Sequence, residues 1–496
     1  MFKRIFTAVL ALLMIFSVLS ACGEQADGAA DETTEITESQ TTVEETTTEP
    51  PEYIPPEDSD WGGAELTVAA EFYGKGNNWV AMDYCELYSE EEDGDPLNDA
   101  IYFRLRAVEE ELNLKISLYP LTNILTELTK TVSAGEDVID FGMATVAYIS
   151  PIMNKGLVID LKTLPYIDFS HSWWDQNLIS ELEILGKLRA ATGDISLYND
   201  YAAITYFFNK HLHESLGLEN LYDLVRSGGW TLPKAIEMSE AAAMDLNGNG
   251  EPDIEDSFGM LLEPSTLRYT FFSSGVRFTK IDSDGVPQLC VNQDLASRVV
   301  DTLVPFMKDK RVNILSSNYG GYSNTYTDLM LPMFQDNRAL FYNNQMLVAL
   351  NLRNMEADFG IVPPPKLDEA QAEYLSPVND WWSTLVVVPK TNTQPEMTGQ
   401  AIEAMGFYGQ QIVRPAFIDT TVKTKALRDE DSSEMMELIF KNRVYDAATI
   451  FDFGGLRSID DPLMSRGEGS FASSYAKIET RAQKAIDKLI GELSDM

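Results

Sequence analysis

Apolar and polar positions alternate along the chain in two periods, which together predict strands and helices in turn. An apolar strand over 65–70 is followed by a helix that starts at Asp95-Pro96, in which apolar residues recur every three or four positions from Leu97 to Leu112. A strand over 114–118, a helix over 122–132 and a strand over 138–143 come next. This β-α-β-α-β order predicts a parallel sheet with helices on both faces. Such sheets place ligands beyond the carboxyl ends of their strands.

Later segments repeat this alternation. We expect strands at 187–192, 203–208, 339–342, 359–362 and 384–388, and helices at 233–244, 296–307, 396–412, 433–441 and 476–493. The part of the chain after residue 60 holds about 435 residues, more than the ~250–300 at which a single core stops growing. The sequence therefore predicts an α/β fold with two lobes.

The first 22 residues have the pattern of an export signal. A short basic stretch precedes an apolar run at 5–19, which is shorter than the ~20 residues that a spanning helix requires. The sequence Leu-Ser-Ala-Cys-Gly at 19–23 resembles the lipobox of bacterial lipoproteins. That resemblance implies a diacylated Cys22 and a protein anchored at the outer face of the cell membrane. The alternative is a signal peptide cleaved near Ala21 with an unmodified Cys22.

Residues 23–60 are rich in Thr, Glu and Pro and contain 13 acidic residues and no basic one. Such a segment cannot bury enough apolar surface to offset its ordering entropy, so we expect a disordered tether. The whole chain carries 37 Lys+Arg against 78 Asp+Glu, a net charge of −41. This charge excludes a nucleic-acid binder that neutralises phosphates, and it disfavours docking on anionic lipid through a basic patch.

Several short segments resemble the extracellular solute-binding proteins of carbohydrate ABC transporters (family 1). Both the residues of these segments and the order of the segments along the chain match that family. They are Phe103–Leu105 with Asn113–Ile116, Asp140–Gly142, Asn154–Leu161, Tyr206–Lys210, Leu216–Leu218, Gly229–Thr231, Asn337–Phe341 and Gly360–Lys366.

The resemblance implies a two-lobe periplasmic-binding-protein-like fold (type II) with a central ligand cleft. We expect lobe 1 to comprise 61–190 and 325–375, and lobe 2 to comprise 191–324 and 376–496. The implied activity is capture of an extracellular solute, with an oligosaccharide as the first expectation, and its delivery to ABC permease subunits. The protein would be a monomer and not an enzyme.

The loop at 245–256 fits the calcium-binding pattern D-x-[DN]-x-[DN]-G-x₅-E, with Asp in place of the final Glu. Oxygen ligands at these positions suit a hard cation such as Ca²⁺, and Gly250 allows the sharp turn. The predicted ligands of a structural Ca²⁺ are Asp245, Asn247, Asn249, Glu251, Asp253 and Asp256. The alternative is an Asn/Gly turn between a helix and a strand.

A sugar site needs flat aromatic surfaces beside carboxylate, amide or guanidinium groups. On this ground we select candidate ligand-binding residues near predicted strand ends and loops. They are Trp173, Trp174, Asp194, Tyr198, Asp380, Trp381 and Trp382. Large aromatic side chains are more often part of a core, so each of these residues also has a purely structural interpretation.

Signatures of enzymes are few. The chain has no G-x-S-x-G elbow and no G-x-x-x-x-G-K-[ST] loop. A surface-anchored glycoside hydrolase needs only two suitably spaced carboxylates, and this acidic chain offers many. That class remains the main alternative, and a surface scaffold lipoprotein with no small ligand is the third.

Overall fold

The computed structural model describes residues 53–57, 59–71, 85–121, 123–353, 355–422, 430–466 and 470–494. The predicted signal peptide, Cys22 and most of the tether lie outside these residues. Within the described part of the chain, no helix is both long and apolar enough to cross a membrane.

The strands follow one another in chain order as β1 (Ala64–Glu71), β2 (Leu114–Leu121), β3 (Phe141–Thr145), β4 (Glu183–Ile184), β5 (Lys187–Leu188), β6 (Ile204–Asn209), β7 (Phe258–Leu262), β8 (Thr279–Ile281), β9 (Pro287–Leu289), β10 (Asn313–Leu315), β11 (Ala339–Gln345), β12 (Phe359–Val362), β13 (Ser376–Pro377), β14 (Thr384–Val387) and β15 (Arg443–Val444). The α-helices are α1 (Pro96–Leu112), α2 (Ile124–Ala134), α3 (Val146–Asn154), α4 (Gln176–Leu182), α5 (Leu197–Tyr201), α6 (Lys210–Ser215), α7 (Leu221–Ser227), α8 (Leu232–Ala242), α9 (Thr266–Ser273), α10 (Gln293–Lys308), α11 (Leu331–Gln335), α12 (Val348–Leu352), α13 (Pro395–Tyr408), α14 (Arg414–Val422), α15 (Glu430–Lys441), α16 (Ala447–Ile450), α17 (Asp461–Arg466) and α18 (Phe471–Ser494).

The first sheet has the strand order β14-β3-β1-β2. β1 pairs in parallel with both β2 and β3, with Val68 opposite Phe141. The predicted parallel β-α-β-α-β unit is therefore confirmed, and β14 adds an antiparallel edge strand beside β3. The apolar side chains of β1 are fully buried, as expected for a sheet with both faces covered.

Helix α1 shows how local sequence sets an element. Asp95 caps its first turn by accepting hydrogen bonds from two backbone N–H groups, and Pro96 occupies the first helical position, where its missing N–H costs nothing. Asn113 ends the helix in the left-handed region, with φ 46°. Between these caps, the predicted apolar stripe is buried against the core.

The second sheet has the order β10-β7-β11-β6-β12. β7 pairs in parallel with β10 and β11, whereas β6 pairs antiparallel with β11 and β12. This sheet corrects the predicted lobe boundaries. Residues 339–345 and 359–362 belong to the second sheet and not to lobe 1, and 384–387 belong to the first sheet and not to lobe 2. Periodicity identifies a strand but says nothing about which sheet it joins.

Two stretches of chain pass side by side between the sheets. Ala191 bridges to Val386 at the first sheet, and Ala203 bridges to Val378 near the second. The chain crosses a third time after α13, where a π-helical turn over Gly409–Val413 leads into α14 and then α15, which packs on β12. In two-lobe proteins, hinge motion is generally absorbed by connecting segments of this kind.

A buried carboxylate links the two adjacent crossings. Glu86 is 1% exposed and accepts hydrogen bonds from Thr384 Oγ1 at 2.6 Å and Ser196 Oγ at 2.9 Å. The backbone N–H of Tyr198 also donates to it, at 3.3 Å. Burial raises the pKa of Glu86 to about 7, and the bonds from the two hydroxyls act in the opposite direction. Arg104, also fully buried, donates to the backbone carbonyls of Glu86 and Ile195.

A second polar cluster lies where β15 meets the crossings. The Arg443 guanidinium pairs with Asp175 at 3.0 Å and also with Asp200, and all three residues are buried. Tyr445 donates its hydroxyl to Asp175 at 2.8 Å or to Asn199 at 3.0 Å. Charges removed from water in this way are tolerated only because each has a partner.

The C-terminal region packs against elements of both lobes. Helix α18 contacts α10, which follows the second lobe's α9, and also α3, which follows β3 of the first sheet. Phe471 at its start packs edge-on against Phe271 of α9, with ring centroids 5.3 Å apart. Cys85 is a buried free thiol, and Cys290 is a half-buried one.

Candidate functional site

A cavity opens between the two sheets, at the carboxyl ends of their parallel strands. It is lined by Val146, directly after β3, and by Tyr269 and Phe272 of α9, which follows β7. Residues from 377–383, in the second crossing, and from 444–450 close the remaining sides. The empty space is ≈ 370 Å³, part of it open to solvent. Its position agrees with the general placement of ligands in α/β sheets.

Asp380 is the central acidic group of this interlobe cavity. It is 8% exposed, and its backbone carbonyl accepts a hydrogen bond from Ala147 N at 3.1 Å, which fixes the crossing against the start of α3. Its Oδ2 has no hydrogen-bond partner and lies 3.4 Å from Arg457 Nε. Burial raises the pKa of Asp380, and the charges of Arg268 and Arg457 oppose that shift. An unsatisfied buried acceptor of this kind is able to bind a ligand hydroxyl.

Arg268 and Tyr269 provide donors opposite this carboxylate. Arg268 Nη1 donates to the backbone carbonyl of Arg457 at 2.7 Å, and its guanidinium lies 5.2 Å from the centroid of the Tyr269 ring. Burial raises the pKa of Tyr269 to about 12, so its hydroxyl is protonated and able to donate. The cavity thus combines acceptor, donor and apolar groups, which suits a polar ligand with apolar faces.

Of the predicted ligand-binding residues, Asp380 alone lines this cavity. Trp173 and Trp174 are 1% and 2% exposed, inside the first lobe. The Trp173 ring packs edge-on against Phe407, and Trp174 Nε1 donates to Glu403 at 3.1 Å. The structure therefore places both tryptophans in a core, since an aromatic ring in a sequence gives no sign of which face it will occupy.

Asp194 and Tyr198 also have structural partners. Asp194 pairs with Arg414 at 3.1 Å and accepts from Gln410 Nε2 at 3.0 Å, which joins the first crossing to the third. Burial raises the pKa of Asp194 to about 6, with the Arg414 charge acting against the shift. Tyr198 is 1% exposed within a core cluster. Both residues stabilise the crossings and lie outside the cavity lining.

Trp381 and Trp382 follow Asp380 directly and point to different surroundings. Trp381 is 55% exposed, while Trp382 is half-buried against the two core clusters. Neither lines the cavity. Trp381 nevertheless follows Asp380 directly in the chain and presents a large exposed aromatic ring.

Sequence reasoning missed Arg268, Tyr269 and Arg457. The first two begin the helix after a buried strand, so the rule that ligands lie beyond parallel strand ends would have found them. Arg457 lies in a turn at 453–458 whose glycines, Gly454 and Gly455, have positive φ. Nothing in the local sequence connects that turn with the cavity.

The calcium-type loop is folded by its own side chains. Asp245 accepts from the N–H groups of Gly248 at 2.6 Å and Gly250 at 2.9 Å, and Asp256 accepts from two further backbone N–H groups. Asp253 Oδ2 accepts from the side-chain amides of Asn247 and Asn249. Among the residues described, no group of three or more His, Cys, Asp or Glu side chains is arranged to hold a metal. Calcium binding by this loop stays a prediction.

No protein-family model matches the chain, and no curated protein matches it either. Solved structures match over most of its length. The galacto-N-biose-/lacto-N-biose I-binding protein of an ABC transporter from Bifidobacterium longum has a TM-score of 0.57 at 12% identity, covering 87% of this chain and 98% of that chain.

Two further solved structures show the same likeness. UgpB from Mycobacterium tuberculosis, in complex with glycerophosphocholine, has a TM-score of 0.55 at 14% identity, covering 79% of this chain and 96% of that one. The ABC substrate-binding protein Lmo0181 from Listeria monocytogenes, in complex with cycloalternan, has a TM-score of 0.51 at 12% identity, covering 87% and 99%. The predicted fold class, a two-lobe periplasmic-binding-protein-like α/β fold, is confirmed.

Proposed function

We propose that this protein is the substrate-binding component of an ABC importer and that it captures an extracellular oligosaccharide between its lobes. The observation that carries the proposal is Asp380, a buried carboxylate at the interlobe cavity whose Oδ2 has no hydrogen-bond partner and lies 3.4 Å from Arg457 Nε. The structural neighbours support it, because two of them are named as ABC transport proteins and are in complex with sugars, and the third is in complex with glycerophosphocholine.

Ligand contacts from both lobes favour a closed arrangement. Tyr269 belongs to the second lobe and Val146 to the first, while Asp380 lies on the crossing between them. The ≈ 370 Å³ of empty space includes space open to solvent, so an oligosaccharide requires the lobes to part and reclose around it. Exposed Trp381 is then the aromatic surface for a sugar ring at the mouth of the cavity.

The activity proposed is binding without chemistry. The neighbours named above are binding proteins, and the groups at the cavity fit the recognition of hydroxyls. A permease would then receive the ligand from the closed form. We further propose that Cys22 carries the lipid that holds the protein at the outer face of the membrane, and that the loop at 245–256 binds Ca²⁺ as a structural brace.

The test uses calorimetric titration and thermal shift with maltotetraose, lacto-N-biose and other neutral oligosaccharides. A ligand at 100 times its dissociation constant stabilises the folded state by about 2.7 kcal/mol. Asp380→Ala should weaken the binding of the identified sugar at least tenfold, while Asp284→Ala, on an exposed turn, should leave it unchanged. The proposal fails if no oligosaccharide binds saturably. Release of reducing ends during incubation would instead favour the glycoside hydrolase.

A further inference from the structure

A second pocket lies on the outer side of the first lobe, where the start of the described chain meets α13. It is formed by the stretch 53–56 together with Tyr166, His171, Gln400 and Glu403, and it encloses ≈ 610 Å³ of space that is partly open to solvent. We call it the outer pocket. It shares no lining residue with the interlobe cavity.

Gln400 offers this pocket a donor whose direction is fixed. The residue is 1% exposed, and its Oε1 accepts a hydrogen bond from Trp61 Nε1 at 2.8 Å. An indole N–H can only donate, so the amide oxygen must face Trp61 and the amide nitrogen must face away. That Nε2 is buried and has no hydrogen-bond partner. A buried unsatisfied NH₂ group is uncommon and calls for an acceptor.

His171 offers an acceptor beside it. Its Nδ1 is hydrogen-bonded to Glu403 Oε1, and Glu403 Oε2 accepts from Trp174 Nε1 at 3.1 Å. In the tautomer that donates from Nδ1 to Glu403, Nε2 is left as an acceptor. The nearest carboxylate to Nε2 is Asp168, at 3.9 Å, beyond hydrogen-bond distance. Glu403 has these two hydrogen-bond partners, and its carboxylate is the acidic group that lines the pocket.

Tyr166 supplies an aromatic face in a costly backbone conformation. It has φ 69°, in the left-handed region that favours glycine, yet it carries a ring and is 45% exposed. Strained non-glycine residues concentrate at binding sites, where the strained position serves recognition. An exposed aromatic ring beside one fixed donor and one acceptor matches a sugar ring, which has an apolar face and hydroxyls that both donate and accept.

We propose that the outer pocket is a second saccharide site, selective for neutral sugars. The sugar stacks on Tyr166, one hydroxyl oxygen accepts from Gln400 Nε2, and a neighbouring hydroxyl donates to His171 Nε2. The Glu403 carboxylate in the lining disfavours anionic ligands, since like charges repel. The proposal does not depend on what the interlobe cavity binds.

The experiment screens the full chain on an array of neutral and charged glycans. Tyr166→Gly removes the ring and at the same time suits the left-handed backbone, so this variant keeps its fold. Phe103→Ala removes an equally exposed ring from α1 and is the matched control. Asp380→Ala identifies the glycans whose binding depends on the interlobe cavity. Tyr166→Trp keeps an aromatic ring at position 166.

We expect a set of neutral glycans whose binding falls at least tenfold in Tyr166→Gly. The same set should stay bound in Phe103→Ala, Asp380→Ala and Tyr166→Trp. The proposal is overturned if Tyr166→Gly matches the wild type across the array, if its losses are confined to charged glycans, or if no neutral glycan binds independently of Asp380. If every bound glycan is lost in Asp380→Ala and none is lost in Tyr166→Gly, the result would support the importer and overturn the saccharide site at the outer pocket.

Discussion

Glu86 provides the sharpest test of the energetics at the crossings. The carboxyl group is 1% exposed, and burial raises its pKa from 4.5 to about 7. Between these two values the folded protein binds a proton that the unfolded chain has released, so the free energy of unfolding decreases as the pH rises through this window. At 1.36 kcal/mol per pKa unit, the raised pKa corresponds to about 3 kcal/mol, present below pH 4.5 and lost above pH 7.

The perturbation is Glu86→Gln, which keeps one acceptor for the hydroxyls of Thr384 and Ser196 and removes the titration. Those hydroxyls also bond each other at 2.8 Å and can turn to accept from the new amide. Urea unfolding of wild type and variant at pH 5, 6, 7 and 8 yields the difference in unfolding free energy at each pH. We expect the variant to gain stability relative to the wild type by roughly 2–3 kcal/mol across this range.

Other buried acids contribute to the wild-type profile, so only the difference between the two proteins isolates Glu86. Ser196→Ala is a second variant, which removes a hydroxyl that stabilises the charged carboxylate. In Ser196→Ala, the pH at which Glu86 ionises in the folded protein should be higher, because one interaction that lowers the pKa of Glu86 is gone. The stability loss linked to Glu86 should therefore extend to higher pH. Parallel pH profiles for wild type and Glu86→Gln would show that this carboxyl does not titrate with the expected linkage, and the reasoning would be wrong.

Three further predictions concern the ion cluster, a close backbone contact and the loop. Arg443→Met should cost about 3–5 kcal/mol in urea unfolding, because it leaves buried carboxylates unpaired; a loss below 1 kcal/mol would contradict this. Gly193→Ala should lower stability by about 1–3 kcal/mol, since the added Cβ would lie 1.9 Å from the carbonyl oxygen of Trp173, whereas Gly320→Ala meets no atom within 4 Å and should be nearly neutral. A chelator should lower the melting temperature and added Ca²⁺ should restore it in the wild type but not in Asp245→Ala; equal responses in both would remove the calcium proposal.

The elements themselves were largely readable from the sequence. The strand predicted at 359–362 has the same bounds in the structure, and the helix predicted to start at Asp95-Pro96 begins at Pro96 and ends at Leu112. The strand predicted at 187–192 is wrong beyond residue 188, because the chain there leaves the hairpin and enters a crossing. Periodicity records which side chains are buried, but it cannot record which of two sheets a strand joins.

The candidate site was predictable only in part. Asp380 was chosen because it stands between Asn379 and two tryptophans before a strand, and the structure brings it to the cavity. Trp173 was chosen on the same argument and lies in the core, since burial of an aromatic ring follows from contacts far along the chain. Arg457 reaches Asp380 from a distant turn, and no local pattern could have indicated it.

The place of β14 has a consequence for how the protein is made. β3 ends at Thr145, but its edge partner begins at Thr384, so roughly 240 further residues must leave the ribosome before the first sheet is complete. At a synthesis rate of about 5–20 residues per second, that interval lasts on the order of ten seconds or more, during which one side of β3 stays unpaired. The nascent chain thus carries an open strand edge for about half of its translation, and a chaperone that covers this edge would prevent premature association between chains.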